Sequence, residues 1–182
     1  MASAEQSVPT AYIALGSNLG DRAEHLRAAI ADLAQLGTVQ AVSSFYETDP
    51  VGKVVQPDFV NAVVHLRTAL PPQQLMAELL RIEQRHGRDR RGFPSKGPRT
   101  LDLDLLSYDD LVLETASLTL PHPALAERAF VLVPLAEIAP QWRYPVSGKL
   151  VAQLLAELPR DGDSSAAGVR KMTKIAESMQ ST

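Results

Sequence analysis

Asp102 and Asp104 stand two residues apart in Leu101-Asp102-Leu103-Asp104-Leu105, an alternation of apolar and acidic side chains. A period of two is the pattern of a strand with one buried face. Leu101, Leu103 and Leu105 then turn toward a core, and the two carboxylates share the opposite side. Residues so spaced lie about 6.6–6.8 Å apart along a strand. Carboxylates at that separation can converge on a pair of Mg²⁺ ions, which stand about 3.5–4 Å apart in two-metal phosphoryl-transfer sites. Aspartate is uncommon in strands and like charges on one face repel, so the pair asks for positive charge beside it. The neighbouring sequence carries Arg88, Arg90, Arg91, Lys96 and Arg99. Together these residues point to a metal or phosphate site. The plainer alternative is a solvated strand face that happens to hold two aspartates.

Composition narrows the classes. The chain has 182 residues, enough for one domain with a sizeable core, and is 45% hydrophobic and 21% charged. Its net charge of −3 provides no global attraction for nucleic acid or an anionic membrane, so any positive field is local. The sequence contains no cysteine, which excludes disulfides, thiolate zinc sites and cysteine nucleophiles. There is no apolar run long enough to span a bilayer and no apolar signal region at the start. These features predict a cytoplasmic protein without a nucleic-acid or membrane partner.

The elements that would position the Asp pair follow from hydrophobic patterning. Residues 1–9 read as a disordered leader. Residues 11–15 form a short apolar strand that breaks at Gly16-Ser17-Asn18-Leu19-Gly20-Asp21. That turn lacks the Gly-Lys-Ser/Thr end of a P-loop and the three-glycine spacing of a dinucleotide fingerprint. It reads as a tight strand-to-helix turn capped by Ser17, Asn18 or Asp21, with a helix carrying Leu26, Ile30 and Leu33 up to Gly37. A strand over 39–46 and an irregular loop over 47–58 come next. Residues 59–66 form a strand interrupted by Asn61, which is either a structural pin or a recognition group. Pro71 and Pro72 open a helix through Leu75, Leu79 and Ile82, with Gly87 as its stop. The basic loop 88–99 leads into the Asp pair, and 111–113 reads as another strand.

His122 sits between Pro121 and Pro123. Helical signals start at Ala124, run through Arg128 and Phe130, and stop before Pro134. A last amphipathic helix covers about 149–158, and 159–182 reads as a weakly ordered tail. The working domain is therefore expected over 10–158. No histidine pair stands at a metal-ligand spacing, and no Ser–His–Asp arrangement is apparent.

Five stretches in order carry a family resemblance: Tyr-Ile-Ala-Leu-Gly-Ser-Asn-Leu-Gly at 12–20, Ser-Ser-Phe-Tyr-Glu-Thr at 43–48, Gln-Pro-Asp-Phe-Val-Asn-Ala at 56–62, Gly-Pro-Arg-Thr-Leu-Asp-Leu-Asp-Leu-Leu at 97–106 and Leu-Pro-His-Pro at 120–123. Over roughly 11–158 the chain resembles the 6-hydroxymethyl-7,8-dihydropterin pyrophosphokinases of folate biosynthesis. The resemblance implies an α+β, ferredoxin-like fold, a central mostly antiparallel sheet with helices on both faces. The β-α-β-β-α-β order of the predicted elements agrees.

The resemblance also implies a reaction, transfer of pyrophosphate from ATP to the pterin hydroxymethyl group with release of AMP; separately, a monomer is expected. It assigns two Mg²⁺ ions to Asp102 and Asp104, and charge neutralisation to Arg88 and Arg99. It assigns ATP contacts to Arg88, Arg90, Arg99, Thr119, His122 and Arg128. Thr48, Val51, Phe59, Asn61, Asp102 and Phe130 take the pterin, with two aromatic rings stacking on it and Asn61 reading its amide-like edge. The chain departs from the family pattern at Ser95 and Lys96, where an Arg and an aromatic residue are common, and at Asp49, where proline is frequent. The basic loop is also slightly longer. Two alternatives stand beside this expectation: another Mg²⁺-dependent phosphotransferase on the same scaffold, and a non-enzymatic nucleotide- or RNA-binding module.

Overall fold

A computed structural model describes residues 7–52, 55–88, 97–159 and 166–173. In chain order, β1 (Thr10–Ser17) leads into α1 (Arg22–Leu33), β2 (Thr38–Val42), β3 (Tyr46–Thr48) and β4 (Phe59–Arg67). Next come α2 (Pro72–Arg85), β5 (Asp102–Tyr108), and a small ribbon of β6 (Leu113–Glu114) with β7 (Thr119–Leu120). The described chain closes with α3 (Ala129–Ile138), α4 (Val151–Glu157) and β8 (Val169–Lys171). The main sheet has six strands, ordered β5-β1-β4-β3-β8, with β2 on the same edge of β4 as β3. Every pairing in it is antiparallel. This is the α+β, ferredoxin-like arrangement expected from the sequence.

Alternation along β1 feeds two cores. Ala11, Ile13 and Leu15 join Leu26, Ala29 and Leu33 of α1 and Leu75, Leu79 and Ile82 of α2. Leu101, Leu103 and Leu105 turn to that same layer, as their spacing predicts. On the other face Tyr12, Val63 and Leu106 pack with Val131, Leu132 and Leu135 of α3 and Val151 and Leu154 of α4. Helices therefore cover both faces, and each fully buried Leu or Ile contributes about 1.5–3 kcal/mol by leaving water. Asp21 caps α1, its side chain accepting from Glu24 N at 3.0 Å. At Gly37 a Cβ would lie 2.1 Å from the Arg67 carbonyl oxygen, so only glycine admits this close passage against the end of β4.

Three elements differ from expectation. The strand predicted over 39–46 is split into β2 and β3. Ser43 interrupts it: its N–H donates to Val63 O, while its hydroxyl accepts from Val63 N, each at 2.9 Å. A side-chain oxygen thus replaces a backbone carbonyl in the ladder, and the chain bends. The helix expected to stop before Pro134 runs through it to Ile138. Proline there removes one helical hydrogen bond, but the helix buries Val131, Leu132 and Leu135, which outweighs that loss. Finally, residues 169–171, placed by composition in a weakly ordered tail, form β8 on the edge of β3. An edge strand of three mostly polar residues depends on the edge it meets, which a local pattern does not show.

Candidate active site

Antiparallel register places the site. Gly16 of β1 lies opposite Asn61 of β4 on one side and Asp102 of β5 on the other. One step along, Ala14 stands between Val63 and Asp104. Cross-strand partners point to the same face, so Asn61, Gly16 and Asp102 form a row with Asp104 in the next. A Cβ on Gly16 would come 2.9 Å from Asn61 Oδ1, so glycine opens the floor between the two polar side chains. Over this floor is a cleft of about 330 Å³. Its walls include Arg88 from the end of α2, Arg99 before β5, His122 after β7, and Arg128 and Phe130 at the start of α3.

The two aspartates have separate sets of cations. Asp102 Oδ1 pairs with Arg88 Nη1, and its Oδ2 lies 3.4 Å from Arg99 Nη1. Asp104 lies 3.7 Å from Arg128 Nη1 and 3.9 Å from His122 Nε2. Burial and the neighbouring Asp102 push the Asp104 carboxyl above its ordinary value, against the opposing pull of His122, Arg128 and Arg99. His122 Nδ1 accepts from Ala124 N at 3.2 Å, so in the neutral ring the proton sits on Nε2, facing Asp104. Burial holds the His122 pKa below its usual value, although Asp104 draws it upward.

Arg88 is itself anchored by a residue the sequence did not single out. Glu83 of α2, 1% exposed, pairs through Oε1 with Arg88 and accepts from Leu103 N at 2.8 Å. The carboxylate so ties the helix end, the guanidinium and the Asp-bearing strand together.

Apolar and amide side chains also line the cleft. Phe59 and Phe130 border it, with the Arg99 guanidinium 5.2 Å over the Phe59 ring and that of Arg128 5.6 Å over Phe130. Asn61 Nδ2 donates to Thr48 Oγ1 at 2.6 Å. Val51, Asp49 and Gln56 line the cleft as well. Asn18, 1% exposed, joins two of these lining segments. Its Nδ2 donates to Gln56 Oε1 and to Pro57 O, both at 3.0 Å, and its Oδ1 accepts from Arg99 N at 2.8 Å. The strand-to-helix turn therefore does more than cap α1, for Asn18 fixes the backbone of a cationic residue against the loop across the cleft.

Two flat rings, an amide and a group of arginines around paired carboxylates suit a planar heterocycle beside a polyphosphate. Comparison with known proteins agrees. Residues 12–140 match the family model described as 7,8-dihydro-6-hydroxymethylpterin-pyrophosphokinase. The chain belongs to this family. It is 48% identical over 150 residues to the 2-amino-4-hydroxy-6-hydroxymethyldihydropteridine pyrophosphokinase of Synechocystis sp., covering 81% of this chain and 75% of that one. The correspondingly named Bacillus subtilis protein is 50% identical over 133 residues, covering 72% of this chain and 78% of the relative. Among solved structures, Plasmodium falciparum HPPK-DHPS with pterin and p-hydroxybenzoate superposes with a TM-score of 0.63 at 17% identity. That match covers 84% of this chain but 43% of the longer one, and it speaks for the fold. Membership makes the protein a pyrophosphokinase, as the five sequence stretches imply. The alternatives, a different phosphotransferase or a non-enzymatic binding module, are not favoured.

Most residues named from the sequence meet at the cleft of this family member. Arg88, Arg99, Asp102, Asp104, His122 and Arg128 line it, as do Thr48, Val51, Phe59, Asn61 and Phe130. Thr119 lies on β7, paired with Glu114, and is not among the lining residues. Arg90, with Ser95 and Lys96, lies outside the described residues. Gly16, Gln56 and Glu127 line the cleft without having been singled out for it. For Gly16 a signal existed, since a glycine ending an apolar strand marks a place where something approaches closely.

Proposed function

We propose that this cleft binds ATP at its cationic wall and 6-hydroxymethyl-7,8-dihydropterin at its aromatic wall, and joins them by pyrophosphoryl transfer. The pterin hydroxyl oxygen attacks the β-phosphorus of ATP, the bond from that phosphorus to the α–β bridging oxygen breaks, and AMP leaves. The observation that supports the assignment is the row Asn61–Gly16–Asp102, an amide suited to the pterin edge beside a carboxylate suited to the phosphates.

Asp102 and Asp104 fit Mg²⁺ as partial ligands. Among the described residues no group of three acidic or histidine side chains could hold a metal alone. Mg²⁺ is ordinarily held by one or two carboxylates together with substrate phosphates and water. Burial first, and the neighbouring Asp102 carboxylate second, raise the Asp104 pKa, and a cation bound between the two would favour both charged forms. Two Mg²⁺ ions are assigned to the pair; bound there they supply charge neutralisation and orientation for the phosphates.

Arg88 and Arg99 meet charge that grows on the phosphate oxygens, and they are pre-set for it by Glu83 and Asn18. Arg128 and His122 approach from the other side and take the remaining phosphates, with Arg90 and Thr119 assigned to the same substrate. Phe59 and Phe130 stack on the pterin, while Asn61, held by Thr48, reads its edge, and Val51 closes the rim. The work is assigned to the domain over 10–158, acting as a monomer in the cytoplasm. Among the described residues no helix is long and apolar enough to cross a membrane.

The test is product analysis from ATP and the dihydropterin, with and without Mg²⁺. AMP together with a pterin diphosphate, formed only with Mg²⁺, is the expected result. ADP as product would overturn pyrophosphoryl transfer, and undiminished turnover in EDTA would overturn the metal assignment.

A further inference from the structure

Beyond the region matched by the family, the C-terminal strand reaches back to the cleft. β8 pairs with β3 so that Arg170 lies opposite Glu47 and Val169 opposite Thr48. Arg170 Nη1 lies 2.9 Å from Asp49 Oδ1, and its Nη2 lies 3.2 Å from Asp58 Oδ2 and 4.0 Å from Glu47 Oε1. Asp49 lines the cleft, and Asp58 immediately precedes Phe59, which does too. One guanidinium therefore draws together both ends of the stretch that carries Val51 and Gln56 to the cleft wall.

Several contacts seat the strand independently of Arg170. Met172 N donates to Phe45 O at 2.8 Å, and the Met172 side chain packs on the first core. Lys171 Nζ lies 3.5 Å from Glu137 Oε1. From the other side, Arg22 of α1 holds the Glu47 carboxylate at 2.8 Å and donates to the Asp58 carbonyl at 2.9 Å. Glu47 and Asp58 are thus held from both α1 and β8, and Asp49 from β8. Without Arg170 they would repel one another at the rim of a site that receives a polyphosphate.

We propose that Arg170 is a positioning residue for the dihydropterin, acting through Asp49 and Asp58 to hold the Thr48–Val51 and Gln56–Phe59 segments against the substrate. Asp49, which breaks the family's frequent proline, has in this chain a partner from the C-terminal strand: an ion pair replaces the rigidity of the ring. The inference rests on the assignment of the Phe59–Asn61–Phe130 wall to the pterin.

The experiment compares Arg170→Ala, Arg170→Lys, Asp49→Asn and the Arg170→Ala/Asp49→Asn pair in the full-length protein, with Lys171→Ala as the control for strand docking. KM for the dihydropterin, KM for ATP and kcat are measured for each. Exposed ion pairs are individually weak, so Arg170→Ala should raise the dihydropterin KM about three- to tenfold, with kcat and the ATP KM little changed. Arg170→Lys should recover most of the loss, Asp49→Asn should resemble Arg170→Ala, and the double variant should be no worse than either. An unchanged dihydropterin KM in Arg170→Ala, or an equal rise in Lys171→Ala, would overturn the proposal. A rise in the ATP KM alone would instead overturn the assignment of that wall to the pterin.

Discussion

Glu83 offers the sharpest test of how the site is built. Replacing it by alanine removes a carboxylate that is 1% exposed and bonded to both Leu103 N and Arg88. The orphaned Leu103 N–H costs about 1–3 kcal/mol on its own. Breaking a buried ion pair by removing one partner costs about 3–5 kcal/mol. Arg88 keeps Asp102 as a partner, which offsets part of that, so the combined loss for Glu83→Ala should be about 3–5 kcal/mol. For a domain of this size that lowers Tm by about 10 °C. Glu83→Gln retains an oxygen for Leu103 N and should lose only about 1–2 kcal/mol. Glu83→Ala frees Arg88 from its helix-side anchor, so its kcat should fall about tenfold or more, equivalent to about 1.4 kcal/mol of transition-state stabilisation. Glu83→Gln, whose oxygen still accepts from Arg88 without the charge, should lose less. Urea unfolding followed by circular dichroism gives the stabilities, and AMP release at saturating substrates gives kcat. If Glu83→Ala unfolds at the wild-type urea concentration, the buried network does not support the fold as described. If stability falls but Glu83→Ala keeps full kcat, Glu83 serves the sheet alone and does not position Arg88.

Asp104→Asn should keep its secondary structure yet lose at least about a hundredfold in Mg²⁺-dependent turnover; wild-type activity would sink the metal assignment. Gly16→Ala should weaken dihydropterin binding more than ATP binding, because the new methyl meets Asn61 Oδ1 at 2.9 Å; calorimetric titration of each ligand would reveal it, and equal losses would refute the account. Burial, with Arg67 nearby, holds the His65 pKa below its ordinary value, so the unfolded chain binds the extra proton first. Stability is therefore full above about pH 6.5 and falls as pH drops through the lower folded value. His65→Gln should show a smaller acidic loss, and an identical pH profile of the urea midpoint would contradict this.

Much of the site was legible because its chemistry is written locally. Alternation in 101–105 put both carboxylates on one face whatever the strand's neighbours, and the structure places Leu101, Leu103 and Leu105 in one core. Asn61 stood out as the polar residue in an apolar strand, yet its two possible roles could not be separated along the chain. The cross-strand register sets it beside Gly16, and its amide donates to Thr48; reading the pterin edge is its proposed role. Glu83 could not be found by pattern, since one more acidic residue in an amphipathic helix resembles a solvated one. Only packing against β5 buries it.

The sequence by itself determined the fold class, the Asp pair and the family, because strand and helix periods and short ordered motifs depend on neighbours in the chain. Tertiary structure alone decided which arginine serves which carboxylate, since Arg88, Arg99 and Arg128 arrive from three different segments. It also decided that Asn18 spans the cleft and that a polar C-terminal stretch becomes β8. Ion pairs and edge-strand pairing are contacts between segments far apart in sequence. Their partners exist only once the sheet has set its register.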